Sequence, residues 1–115
     1  EGKIYFHCAK NGHKLDAIKQ NKKVSFCVIE KDEVDSEKLT TLFRSVVVFG
    51  KAEIMENEEK INSAMLSFGL KYNNDINAVK KEIERERSGL CCVEITIEHI
   101  TGKQAIELVK TKTIL

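Results

Sequence analysis

The feature that most restricts this chain is the segment from Thr41 to Met55, which carries Leu42, Phe43, Val46, Val47, Val48, Phe49 and Ile54. Three consecutive valines restrict χ1 on every turn of a helix, whereas they pack well on a pleated surface. The segment therefore predicts one long strand, bent at Gly50, where a missing side chain marks a bend or a close approach. The apolar residues fall on both faces, so the strand needs cover on both sides.

A second strong pattern lies between Cys91 and His99. Cys91, Val93, Ile95, Ile97 and His99 alternate with Cys92, Glu94, Thr96 and Glu98, the period of two that marks a half-exposed strand. Ile4-Tyr-Phe-His-Cys8 is dense in aromatic and β-branched residues and ends at the turn-forming Lys10-Asn11-Gly12, which predicts a further strand. Val24 to Ile29 reads as another, with Val24, Phe26 and Val28 on one face, Cys27 and Ile29 on the other, and both faces covered. The charged stretch from Glu30 to Lys38 reads as a solvated loop rather than an acidic metal cluster.

Helices fill the intervals. Leu15 and Ile18 define one apolar face of a short helix that starts after Asn11, a candidate cap, and ends near Asn21. Asn57 caps a second helix, with Glu58 and Glu59 in its first turn and Ile61, Met65, Phe68 and Tyr72 along one stripe. Asn73 to Asp75 breaks it, and Ile76, Val79 and Ile83 mark a third, whose outer face carries the charged run Lys80 to Arg87. Thr101 and Gln104 form a capping box before a terminal helix with Ala105, Ile106, Leu108 and Val109. The order β-α-β-β-α-α-β-α leaves too little helix between the middle strands for a doubly wound sheet, so a small barrel with peripheral helices is expected.

At 115 residues, 42% of them hydrophobic, the chain suits a single domain, residues 1–115. A formal charge of +1 provides no field for a polyanion, and no apolar run approaches the ~20 residues of a membrane span. Neither nucleic acid nor a membrane is an expected partner. Cys8, Cys27, Cys91 and Cys92 lie within apolar runs and read as free core thiols of a cytoplasmic protein. The chain starts at Glu1 and reaches a strand at once, which leaves no room for a signal peptide and implies residues upstream.

Two motifs bear on chemistry. His7, Cys8 and His13 lack metal-ligand spacing, since adjacent strand residues point to opposite faces. Cys8-Ala-Lys-Asn-Gly-His-Lys14 is different: a strand meets a glycine turn and then a helix start holding His13 and Lys14. Free amides, the helix dipole and an ammonium group make such a junction suited to an anion; the alternative is that Lys14 is a solvated helix residue and Gly12 a turn residue.

Ile4-Tyr-Phe-His-Cys-Ala, Gly12-His-Lys-Leu-Asp-Ala-Ile18, Phe43-Arg-Ser-Val-Val-Val-Phe-Gly-Lys-Ala52, Glu58-Glu-Lys60 and Glu98-His-Ile-Thr-Gly-Lys103 occur in that order along almost the whole chain. Together they resemble the flavin-binding split-barrel family of pyridoxamine phosphate oxidases, and within it the nitroimidazole-resistance proteins. The resemblance implies a mainly β, α+β fold: a six-stranded Greek-key split β-barrel that forms a homodimer and binds FMN between subunits. It implies about two further strands upstream of Glu1, with another phosphate-binding basic residue. His13 and Lys14 match the family's phosphate-binding positions, with His13 in place of arginine. His7 and Cys8 match the pair lining the flavin, with Cys8 in place of a hydroxyl residue, and Ser45 matches a polar residue that reaches the cofactor. The implied activity is FMN-dependent reduction of a small-molecule acceptor such as a nitroimidazole, with His7 as the candidate catalytic residue. A flavin- or haem-binding carrier or sensor without turnover is the alternative. The family's substrate-binding carboxyl-terminal extension is lacking, which disfavours pyridoxamine phosphate oxidation.

Overall fold

The structure is a computed structural model that describes residues 2–113. The chain folds as β1 (Lys3–Ala9), α1 (His13–Gln20), β2 (Lys23–Asp35), β3 (Thr40–Ile54), α2 (Glu58–Leu70), α3 (Ile76–Glu86), β4 (Leu90–Gln104) and α4 (Ile106–Thr113), with a 3-10 turn at Arg87–Gly89. All strand pairs are antiparallel, in the order β1-β4-β3-β2. Three successive strands lie side by side with the first returned next to the last, which is the Greek-key order. The fold is α+β, and the described residues provide four strands in a curled half-barrel rather than six.

The valine-rich segment forms the central strand β3, hydrogen-bonded on both sides. Its expected bend at Gly50 takes another form. The strand runs through, and the register slips between Phe49 and Gly50 because Phe49 faces His99 and Gly50 faces Ile97, leaving Glu98 as the extra residue. A Cβ on Gly50 would collide with the Thr96 carbonyl, so only glycine fits this close strand approach.

Three expectations are corrected along the sheet. Glu30–Asp35 belongs to β2 and pairs with β3 as far as Asp35↔Thr40, so the charged stretch is mostly strand. Its backbone hydrogen bonds come from the hairpin, and its charges lie where nothing packs above them. A bulge at Glu30, between the pairs Ile29↔Ser45 and Lys31↔Arg44, turns that carboxylate onto Arg44, whose Nη1 lies 2.9 and 2.7 Å from its two oxygens. Thr101 and Gln104 do not cap a helix. They extend β4 opposite Val47 and Arg44, and α4 begins only at Ile106. Finally, β2 is not covered on both faces, since Val28 is 46% and Ile29 65% exposed and Cys27 is an exposed thiol rather than a core one.

The core is built where α1 lies against the sheet. Leu15, Ile18, Ala52, Val93 and Ile95 are buried together, with Ile4, Phe6, Cys8 and Cys91 packed around them. On the opposite face sits the α2–α3 hairpin. Asn57 caps α2 by accepting from the Lys60 amide at 3.1 Å, and Asp75 caps α3 by accepting from the Asn77 and Ala78 amides. The helices approach closely because a Cβ on Gly69 would come within 2.5 Å of Val79 Cγ1. Arg87 ties the end of α3 to the start of α2, holding both Glu58 oxygens and the Leu90 carbonyl.

Candidate functional site

β1 separates two environments because its side chains alternate across the sheet. Ile4, Phe6 and Cys8 point into the α1 core, while Tyr5 and His7 face the α2–α3 hairpin. His7 and Cys8 are thus divided between faces, as the strand period requires.

On the hairpin side, a cavity of about 490 Å³ lies between β1 and the two helices. Its walls include Tyr5, Met65, Phe68, Val79 and Ile83, with His7 among them and Glu82 and Glu86 also on the lining. The His7 ring meets Phe68 edge-on with centroids 5.4 Å apart, and Phe68 in turn stacks at a tilt on Tyr72 at 5.8 Å. A concave apolar pocket with one imidazole suits a small flat molecule that must be oriented and protonated.

Sequence reasoning found His7 but none of the helical residues that complete this cavity. The apolar stripes of α2 and α3 signalled buried faces, but a helical period identifies a face and not its partner.

On the other side, α1 follows β1 after Gly12, which takes φ 156° and precedes the first helical residue. Asn11 does not cap the helix: Gly12 occupies the cap position and no side chain accepts from the first turn. Glycine provides no side-chain oxygen, so the leading amides remain available to an external acceptor. His13 and Lys14 are both exposed at this end. Lys14 Nζ lies 5.4 Å from the Phe6 ring centroid, so the ammonium reaches back over β1. Asp16 is the only carboxylate in that first turn. The donor set fits a phosphate: amides, an ammonium and an imidazole at an open helix start.

Ser45 lies elsewhere. It pairs with Ile29 and Lys103 on the outer half of β3, nine residues along the strand from Ile54, which pairs with Val93 beside Cys92. That is about 30 Å of strand from the position of His7. Within one chain, the structure places Cys8, His13 and Lys14 on the α1 side of β1 and His7 on its hairpin side, and does not bring Ser45 to either.

Below the cavity, Glu94 joins β1 to β4. Lys3 Nζ lies 2.9 Å from Glu94 Oε1. That hydrogen bond holds the Glu94 carboxyl below the usual carboxylate range, and the carboxylate in turn raises the Lys3 ammonium and the Tyr5 phenol. Burial pushes the Cys91 and Cys92 thiols up.

The architecture is thus a curled Greek-key half-barrel with a basic helix start beside its edge strand. Residues 1–104 match the model of the pyridoxamine 5'-phosphate oxidase family, and the chain belongs to that family. The fold is also that of a proposed 5-nitroimidazole antibiotic resistance protein from Bacteroides thetaiotaomicron, with 18% identity, a TM-score of 0.64, and coverage of 89% of this chain and 61% of that one. An FAD-binding protein from Mesorhizobium loti matches with 20% identity, a TM-score of 0.53 and coverage of 91% and 70%. A flavocytochrome from Azotobacter vinelandii matches with 17% identity, a TM-score of 0.65 and coverage of 90% and 50%. The chain therefore spans about three fifths of the first of these proteins and half of the last. No curated protein matches the sequence significantly.

Proposed function

We propose that this chain is an FMN-binding oxidoreductase that works in the cytoplasm as a homodimer and delivers reducing equivalents to a small acceptor of the nitroimidazole type. The observation that carries this reading is the uncapped start of α1, with Lys14 reaching back over β1. The cofactor preference draws on the family and on flavin-binding proteins of the same fold.

Lys14, His13 and the first amides of α1 hold the phosphate. β1 is at the edge of the sheet, so a molecule lying along that edge meets backbone donors and acceptors and can touch side chains of both faces. Cys8 lines the ring from the α1 side, and Ser45 joins the site from the second subunit, since its own chain keeps it too distant. The flavin supplies the redox chemistry. His7 orients the acceptor in the apolar cavity and gives it a proton from the imidazole, while Phe68 holds the ring in place.

The test is anaerobic: the flavin-loaded protein is reduced and mixed rapidly with a nitroimidazole. Reoxidation that tracks acceptor concentration supports the enzyme; flavin that is reoxidised only by oxygen points to a carrier. A haem band in the visible spectrum with no flavin band would replace the FMN assignment by the haem-binding alternative.

A further inference from the structure

We infer that Cys8 and Cys91 form a peroxide-sensitive thiol pair that closes reversibly into a cross-strand disulfide. The two residues are direct partners in the β1–β4 ladder. Opposed residues in an antiparallel pair have Cα atoms about 4.5–5.5 Å apart, inside the roughly 4.4–6.8 Å that a disulfide spans. Direct partners also share a face, and both side chains pack against the same α1 core. The register therefore brings the two within the reach of a disulfide. Burial is the main cause that raises the Cys91 thiol, and the nearby Cys8 raises it further.

The other two cysteines are excluded by the same geometry. Cys92 is adjacent in sequence but extended, so its thiol points to the opposite face, where it lies buried across from His7. Cys27 lies on β2 opposite Val47, two strands away from β4.

The step balances with hydrogen peroxide as oxidant. The Cys8 thiolate attacks one peroxide oxygen, the O–O bond breaks, and the departing hydroxide takes a proton and leaves as water. Cys8 is then a sulfenic acid. The Cys91 sulfur displaces the hydroxyl from Cys8 sulfur, the S–S bond forms, and the Cys91 proton leaves with the hydroxide as a second water. Two thiols are oxidised and one peroxide is reduced to two waters. Burial raises the Cys91 thiol and makes it the poorer first nucleophile, so the first attack is assigned to Cys8 and the second to Cys91.

The experiment uses the full chain, reduced, then treated with hydrogen peroxide, alkylated at remaining thiols and digested with trypsin without reductant. The inference predicts a linked pair of peptides, residues 4–10 and 88–103, one per chain, separated by dithiothreitol. Cys92→Ser should keep this link and Cys91→Ser should abolish it, with circular dichroism reporting that each variant folds. Full alkylation of all four thiols after peroxide, a link that survives Cys91→Ser, or Cys8 joined between chains through Cys27 would each overturn it. The mapping needs no flavin, so its outcome is separate from that of the proposed function.

Discussion

The edge of the Phe68 ring system against His7, 5.4 Å between centroids and 78° between planes, fastens an edge strand to a helix 61 residues away in sequence. Such a contact contributes about 0.5–1.5 kcal/mol beyond its buried area and fixes the direction of the imidazole. Cys92 is the ladder partner of His7 on β4, while the His7 side chain itself stays exposed beside Phe68.

His7→Ala should therefore retain flavin yet slow reoxidation of the reduced protein by a nitroimidazole by roughly 10²–10⁴-fold, the range for a lost general acid. Stopped-flow absorbance reads both quantities. Unchanged reoxidation would reduce His7 to a wall residue of the cavity.

The Lys3–Glu94 pair predicts a pH dependence of stability. The Glu94 pKa is depressed in the folded chain, so its contribution is complete above the ordinary carboxyl value of ~4.3 and is lost as pH falls through the folded value. The Lys3 pKa is raised, so its share is present below ~10.4 and is lost as pH rises through the folded value. Glu94→Gln should lower the thermal midpoint at pH 7, and the gap from the parent should close toward acid pH. A gap that stays constant from neutral to acid would contradict the assigned partnership.

The outer sheet predicts association. The radius of gyration is 18.1 Å, against ~13 Å for a compact chain of this length. Val34 is 78% and Leu39 90% exposed on the β2–β3 arm, in addition to Ile29 and Ile100. Light scattering at micromolar concentration should give twice the chain mass, and Ile29→Glu should shift the mass toward the monomer and weaken FMN binding. A monomeric parent with flavin bound would rule out a site shared between subunits.

The sequence was most informative where a pattern had a single structural solution. The three valines around Val47 and the alternation from Cys91 to Ile97 can only be strands, and Asn57 and Asp75 cap the helices that follow them. It misled where chemistry on the surface resembles chemistry in a loop. Asp32 and Glu33 are charged because nothing packs above that part of the hairpin, while their backbones still pair with Phe43 and Leu42. Thr101 and Gln104 have capping-box spacing, but their ladder to β3 prevails. The site divides in the same way. The junction that carries Lys14 was legible because strand, glycine turn and helix are consecutive, whereas the cavity needs Phe68 and Val79 folded across His7, a juxtaposition that no local period encodes.

The central claim is that the start of α1 holds the phosphate of FMN, and the most direct measurement is a fluorescence titration of FMN with the parent protein and with Lys14→Ala. Loss of a charge-assisted hydrogen bond costs about 1.5–3 kcal/mol, equivalent to ~10–150-fold in affinity, while an exposed lysine adds little to the core. The account predicts saturable quenching by the parent, a dissociation constant raised by that factor in the variant, and matching thermal midpoints without flavin. Superimposable titration curves, or no saturation by the parent, would contradict it.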